Sequence, residues 1–151
     1  MTDAPRHRGA ALDAWAAYRR LHLLVDGAIA RDLEQNSGLS MPDYEVLAAV
    51  ARLASEKTCV RVIGLAAYMH WDHSRLSRQL GRMQQRGLIA REACELDGRG
   101  DDVVLTEAGR QTYDRATPAH LASIERHFTS LLSAQQLNAL TGIAHAVAAL
   151  R

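Results

Sequence analysis

Apolar residues along this chain recur at helical spacing, in stretches separated by short polar breaks. From about Ala10 to Leu33, the steps of three and four between Tyr18, Leu21, Val25 and Ala28 predict a helix. Leu12, Trp15, Leu23, Leu24 and Ile29 widen its apolar surface, so it needs cover on more than one side. Asn36-Ser37-Gly38 stops it. A second helix opens at Ser40-Met41-Pro42-Asp43: Ser40 suits the cap, Pro42 the first turn, and Asp43 the positive end of the dipole. Tyr44, Val46, Leu47 and Val50 form its core face. Beyond the polar stretch Ser55 to Thr58, a short third helix begins near Val62 and carries Leu65, Ala66 and Met69.

His70-Trp71-Asp72 reads as a tight connection, with Asp72 suited to an N-cap and Trp71 and Leu76 at the two positions of a hydrophobic staple. A fourth helix is expected from His73 to Arg86, closed by Gly87. The period then changes to that of a strand over Leu88 to Leu96, the two glycines of Asp97-Gly98-Arg99-Gly100-Asp101 mark a turn, and Val103-Val104-Leu105 returns as the second strand. Thr106 caps a fifth helix, in which Pro118 predicts a kink or a break. Ser133 and Gln136 form a capping box before a last helix, whose apolar face is Leu137, Leu140, Ile143, Val147 and Leu150. The order predicts a mainly α fold with a small β-hairpin wing: one domain over 10–151, with a helix-turn-helix at 62–87, a wing at 88–106 and flanking helices at 10–34 and 107–150. The flanking helices carry more apolar surface than the middle block can cover, and a second copy of the chain is the simplest cover.

On a wheel of about 100° per residue, Leu76, Leu80 and Met83 face the core, while Arg75, Gln79, Arg82 and Arg86 fall within roughly 60° of one another on a different side. Arg78 lies near that stripe, and Ser74 and Ser77 add hydroxyls. An α-helix fits the major groove, where arginine bridges guanine and glutamine bridges adenine. No acidic residue between Arg75 and Arg86 pairs with the arginines, and Arg99 sits at the tip of the hairpin that follows.

Charge does not announce this role. Eighteen basic residues against 17 acidic ones leave a formal net charge of +1, and Lys57 is the only lysine, so a DNA case rests on where the arginines stand. No apolar run approaches the roughly 20 residues of a membrane span, and Met1 to Gly9 lacks the apolar stretch of a secretory signal, so a cytoplasmic protein is expected. Cys59 and Cys94 are far apart and form no metal-spaced cluster; in the cytosol they are expected to be reduced, as structural or incidental thiols, with redox sensing the alternative. His70 and His73 straddle a turn, and His120 and His127 lie a helical repeat apart; neither pair predicts a metal site, and His73 suits a DNA contact better. No cofactor is expected. No nucleophile–base pair, phosphate loop or paired-carboxylate motif suggests an enzyme.

The segments Leu65-Ala66-Ala67 through Trp71, Ser74 to Leu80, and Arg86-Gly87-Leu88-Ile89 resemble the helix-turn-helix of the MarR family, the multiple-antibiotic-resistance type of bacterial regulator. Asp97-Gly98-Arg99-Gly100 followed by Val104-Leu105-Thr106 and Gly109 is similar to that family's Asp-x-Arg … Leu-Thr-x-x-Gly wing signature, and the likeness covers roughly Leu12 to Leu150. It implies an obligate dimer, built by the first helix and the last two, that binds palindromic operators. It places Ser74, Arg75, Ser77, Arg78, Gln79 and Arg82 toward the major groove and Arg99 in the minor groove, with Asp97 bracing the wing. Oxidation-sensing members carry a cysteine near the end of the first helix, where this chain has none.

Many members release DNA when a small phenolic or anionic ligand binds between their lobes. Trp15, Arg19, His22, Tyr44 and Trp71 are candidates to line such an effector pocket, since aromatics and a cation suit an aromatic acid, although the three larger aromatics also suit a core. The expected function is a ligand-responsive repressor that binds double-stranded DNA as a dimer on a pseudo-palindromic operator. The alternative is a winged-helix protein-interaction module without DNA binding.

Overall fold

The computed structural model describes residues 4–57, 59–96, 98 and 101–151, the backbone alone at 4–6 and 101. Its elements are α1 (Ala4–Ser37), α2 (Met41–Glu56), α3 (Val62–Met69), α4 (His73–Gln85), β1 (Ile89–Ala93), β2 (Asp101–Leu105), α5 (Glu107–His127) and α6 (Ala134–Ala148), with a 3-10 turn at Thr129–Leu131. This is the expected mainly α chain with a hairpin wing after its fourth helix. α1 is longer at both ends than its apolar spacing predicts: Pro5 falls in the first turn, where a missing N–H costs nothing, and the helix ends as the Gly38 N–H reaches the Glu34 carbonyl.

The chain forms two compact units, Leu33–Ala119 and Met1–Asp32 with His120–Arg151. In the first, α2, α3, α4 and the hairpin enclose a core in which Val46, Leu47, Leu65, Leu76, Leu80, Met83, Ile89 and Val103 are fully buried. Local rules explain most of the frame. Ser40 and Asp43 complete a capping box on α2, the Ser40 hydroxyl accepting from the Asp43 N–H at 3.2 Å and the Asp43 carboxylate from the Ser40 N–H at 3.0 Å. His70 turns the chain between α3 and α4 in the left-handed region, at φ 55°. Asp72 stands at the N-cap of α4 with extended backbone, but its side chain makes no capping bond, contrary to expectation. α4 ends in a Schellman motif, with the Leu88 N–H on Met83 O and the Gly87 N–H on Gln84 O, and Gly87 supplies the φ of 74° that this motif needs.

β1 and β2 pair antiparallel, Ile89 opposite Leu105 and Ala93 opposite Asp101, so β1 stops short of the strand expected to reach Leu96. The α5 entrance explains the Leu-Thr-x-x-Gly run. The Thr106 hydroxyl donates to Gly87 O at 2.5 Å and accepts from the Gly109 N–H at 2.9 Å, which fastens the helix to the α4–β1 corner. A Cβ on Gly109 would clash with the Leu88 carbonyl oxygen, so only glycine fits this approach. α5 continues through Pro118 without the expected break: proline removes one backbone donor, and the helical bonding resumes beyond it.

In the second unit one carboxylate oxygen of Asp32 accepts from the Ser123 hydroxyl at 2.7 Å, from Arg126 at 2.7 Å and from His127 Nε2 at 2.9 Å. Led by the Ser123 bond, these donors lower the Asp32 carboxyl from 3.8 to about 2. α6 has its expected Ser133–Gln136 capping box yet buries no residue. Among the described residues no helix is long and apolar enough to cross a membrane, and no group of three or more His, Cys, Asp or Glu could hold a metal ion.

Candidate nucleic-acid interface

Helix α4 is set from its inner face. Leu76, Leu80 and Met83 anchor it in the core. Beside them lies a polar network that joins it to the start of α2. Gln79 Nε2 donates to Asp43 Oδ1 at 2.7 Å, and Arg86 Nη1 donates to Asp43 Oδ2 at 2.6 Å. Arg82 Nη2 in turn donates to Gln79 Oε1 at 2.7 Å. Burial alone would raise the Asp43 carboxyl, but the bonds from Arg86 and the Ser40 N–H outweigh it and hold the group below its ordinary value. One carboxylate therefore caps α2 and grips α4 at its middle and its end.

Two of the side chains expected at DNA are held inward in this structure. Gln79 is buried, at 5% exposure, and both ends of its amide are engaged, so it cannot read a base edge as it stands. Arg86 is half exposed but is drawn inward to Asp43. The sequence argument that the arginines lack an acidic partner holds within α4 and fails across the fold.

The rest of the stripe faces outward. His73, Ser74, Arg75, Arg78 and Arg82 are exposed and Ser77 is half-buried, and α4 contains no carboxylate. The Arg75 guanidinium lies 3.8 Å from the centre of the Trp71 ring, a cation–π contact that limits the freedom of both side chains. The first turn of α4 adds backbone N–H groups that lack a preceding helical carbonyl.

The hairpin is braced along β2 by the α2–α3 connection. Val103 N–H donates to Val60 O at 2.8 Å, and the Val60 N–H donates to Asp102 Oδ1 at 2.7 Å, so the α2–α3 connection runs along β2. Beside it Cys59 and Cys94 form a disulfide, with a Cα separation of 5.9 Å, where two reduced thiols were expected. Their sequence separation gave no sign of this; the fold brings the start of α3 and the end of β1 together. Arg99 and Asp97 of the wing tip lie outside the described residues.

The candidate effector residues do not behave alike. Tyr44 belongs to the core: its hydroxyl is 2.9 Å from that of Thr117, its ring lies 5.4 Å from that of Tyr113, and burial pushes its phenol above the ordinary value. It is therefore not an open pocket wall. Trp71 is half-buried and, with Tyr68, Met69 and Arg52, lines a surface cavity of about 480 Å³. In the other unit Trp15, Arg19 and His22 are exposed on α1, with Arg19 over the Trp15 ring at 5.9 Å and His22 3.1 Å from Asp26.

A helix anchored by one buried face and presenting arginines on the other, followed by a braced hairpin, defines a winged helix-turn-helix protein of the DNA-binding class. Residues 37–100 match the model of the MarR family. The fold is similar to AbsC, a MarR family transcriptional regulator from Streptomyces coelicolor, at 35% identity and a TM-score of 0.80 over 98% of this chain and 94% of AbsC. It is also similar to Sco3205 from the same organism, a MarR family regulator solved in complex with DNA, at 28% identity and a TM-score of 0.80 over 91% and 89% of the two chains. CouR from Rhodococcus jostii RHA1, solved bound to p-coumaroyl-CoA, matches at 27% identity and a TM-score of 0.74 over 90% and 92%. The chain belongs to the MarR family of transcriptional regulators, which are not enzymes.

Proposed function

We propose that this chain represses transcription in the cytoplasm as a homodimer that binds a pseudo-palindromic operator and lets go when a small aromatic or anionic effector binds. The observation that carries the DNA reading is the outer face of α4: exposed arginines and hydroxyls, no carboxylate, and a fully buried opposite face. His73, Ser74, Arg75, Ser77, Arg78 and Arg82 face the major groove in this reading, and Arg99, braced by Asp97, enters the minor groove. The relative solved with DNA supports it. The dimer reading rests on α1, α6 and the residues just after it, which leave Leu12, Trp15, Leu23, Leu24, Ile143, Val147 and Leu150 exposed, an apolar surface that a second copy would cover. The effector reading draws on the relative solved with an aromatic acyl thioester and on the exposed aromatic and cationic residues of α1.

Fluorescence anisotropy tests the DNA reading, with the duplex upstream of the chain's own gene set against unrelated duplex in a salt series. Sequence-preferring binding that weakens with salt is expected, and Arg75→Ala should cost about 1–3 kcal/mol. Equal, weak binding to every duplex, unchanged in Arg75→Ala and followed by failure to select a site from random sequence, would replace it with the protein-interaction reading.

A further inference from the structure

The Cys59–Cys94 disulfide joins residues 35 apart in sequence and closes a loop that contains α3, α4 and β1, the whole helix-turn-helix and the first strand of the wing. Its two ends meet where Val60 is already bonded to Val103 and Asp102 of β2. The link therefore joins the chain entering the recognition block to the strand leaving it. The two sulfurs differ in access: Cys94 is buried at 2% exposure, and Cys59 is only partly buried. That asymmetry suits a peroxide-reactive thiol with a resolving partner behind it. In a reducing compartment such a bond forms and is undone in response to oxidant, rather than serving as a fixed staple.

We propose that Cys59 and Cys94 are a reversible redox site and that closing it tightens DNA binding by pre-organising the wing against the α2–α3 connection. With a hydroperoxide as oxidant, the Cys59 thiolate attacks the peroxide oxygen, the O–O bond breaks, an alcohol leaves, and a sulfenic acid remains. The Cys94 thiolate then attacks that sulfur and expels hydroxide, which takes up a proton as water. In sum, two thiols and one hydroperoxide give one disulfide, one alcohol and one water, the two electrons passing from sulfur to oxygen. A small dithiol reverses the step by exchange. Closed, the bond removes the freedom of the segment's ends, so less ordering is left for DNA to impose. The inference rests on the DNA-binding reading.

The test uses the full chain, reduced with dithiothreitol or oxidised with one equivalent of tert-butyl hydroperoxide. Alkylation and mass measurement give its thiol state, and anisotropy gives its affinity for a duplex selected from random sequence by either form. Oxidation should consume two thiols per chain and tighten binding by about tenfold. Cys59→Ser should bind like the reduced chain whatever the treatment; because that position is not fully buried, the variant is expected to fold. Thiols that survive the peroxide, equal affinity in the two states, or tighter binding by the reduced chain would overturn the inference and leave the DNA-binding reading in place. Failure of both forms to select any duplex would overturn the DNA-binding reading and the inference with it.

Discussion

Replacing Asp43 by alanine should do more damage than its place in a first helical turn implies. Three losses coincide. Gln79 Nε2, in a buried side chain, loses its acceptor, and an unsatisfied buried amide costs about 1–3 kcal/mol. The charge-assisted bond from Arg86 also disappears; because that side chain is 46% exposed, water recovers much of it, leaving about 1 kcal/mol. The reciprocal half of the capping box on α2 goes too, worth about 0.5–1 kcal/mol. The expected total is about 3–5 kcal/mol, a large share of the roughly 5–15 kcal/mol that holds a domain together. Asp43→Asn should cost less, about 2–3 kcal/mol, because one amide oxygen can still accept from Gln79 or from Arg86 but not from both.

Urea denaturation followed by circular dichroism, at one fixed chain concentration because dimerisation would shift the midpoint, measures both variants. Combining each with Arg86→Ala isolates the pair, whose coupling should be about 1–2 kcal/mol. A loss below about 1 kcal/mol in Asp43→Ala, or no coupling to Arg86, would refute the view that this carboxylate ties α2 to α4.

Three further outcomes follow from other contacts. Gly109→Ala should cost about 2–3 kcal/mol in the same denaturation assay, since its Cβ would clash with the Leu88 carbonyl oxygen and the α5 entrance must shift; a neutral alanine would show that the approach is looser than described. The Asp32 carboxyl sits at about 2, below its unfolded value, so its contribution is fully present above about pH 4 and fades as pH falls toward 2. Asp32→Asn should flatten the stability–pH curve across that window, and a parallel curve would contradict the reading. Ile143→Asp should drive the chain to a monomer in sedimentation without lowering its helix content, because Ile143 is 60% exposed on α6; a dimer that persists would move the interface elsewhere.

What was legible in the sequence was mostly local. The two capping boxes, Ser40 with Asp43 and Ser133 with Gln136, span three residues each, and Gly87 follows from the end of a periodic stretch, so neighbours alone decide them. Gln79 was half legible. On the helical wheel it stands about 40° from Met83, at the core-side edge of the arginine stripe, and a polar residue there can turn inward once the fold supplies a partner. Nothing local announces that partner: Asp43 lies 36 residues from Gln79 and 43 from Arg86. The Cys59–Cys94 pair is hidden in the same way, 35 residues apart and joined only by how β2 meets the α2–α3 connection. At Pro118 the break allowed by the sequence does not occur, because the long helix continues on both sides of the missing donor.

The near-neutral charge gives these inward ties more weight. With a formal net charge of +1, the chain has little long-range field to draw a polyanion, so the proposed DNA binding depends on short contacts, assigned in that reading to a few side chains on α4 and the wing. Such contacts are steep in distance, and a helix free to tilt would lose several at once. Asp43 at the inner face of α4, Thr106 and Gly109 at the α4–β1 corner, and the Cys59–Cys94 bond across the ends of the block each remove one way for that helix to move. A variant such as Asp43→Asn, which touches no exposed residue, should accordingly weaken operator binding more than binding to unrelated duplex, whereas loss of an arginine that contacts only phosphate should weaken the two alike. Equal weakening in Asp43→Asn would mean that the network supports stability alone and leaves the reading surface as it was.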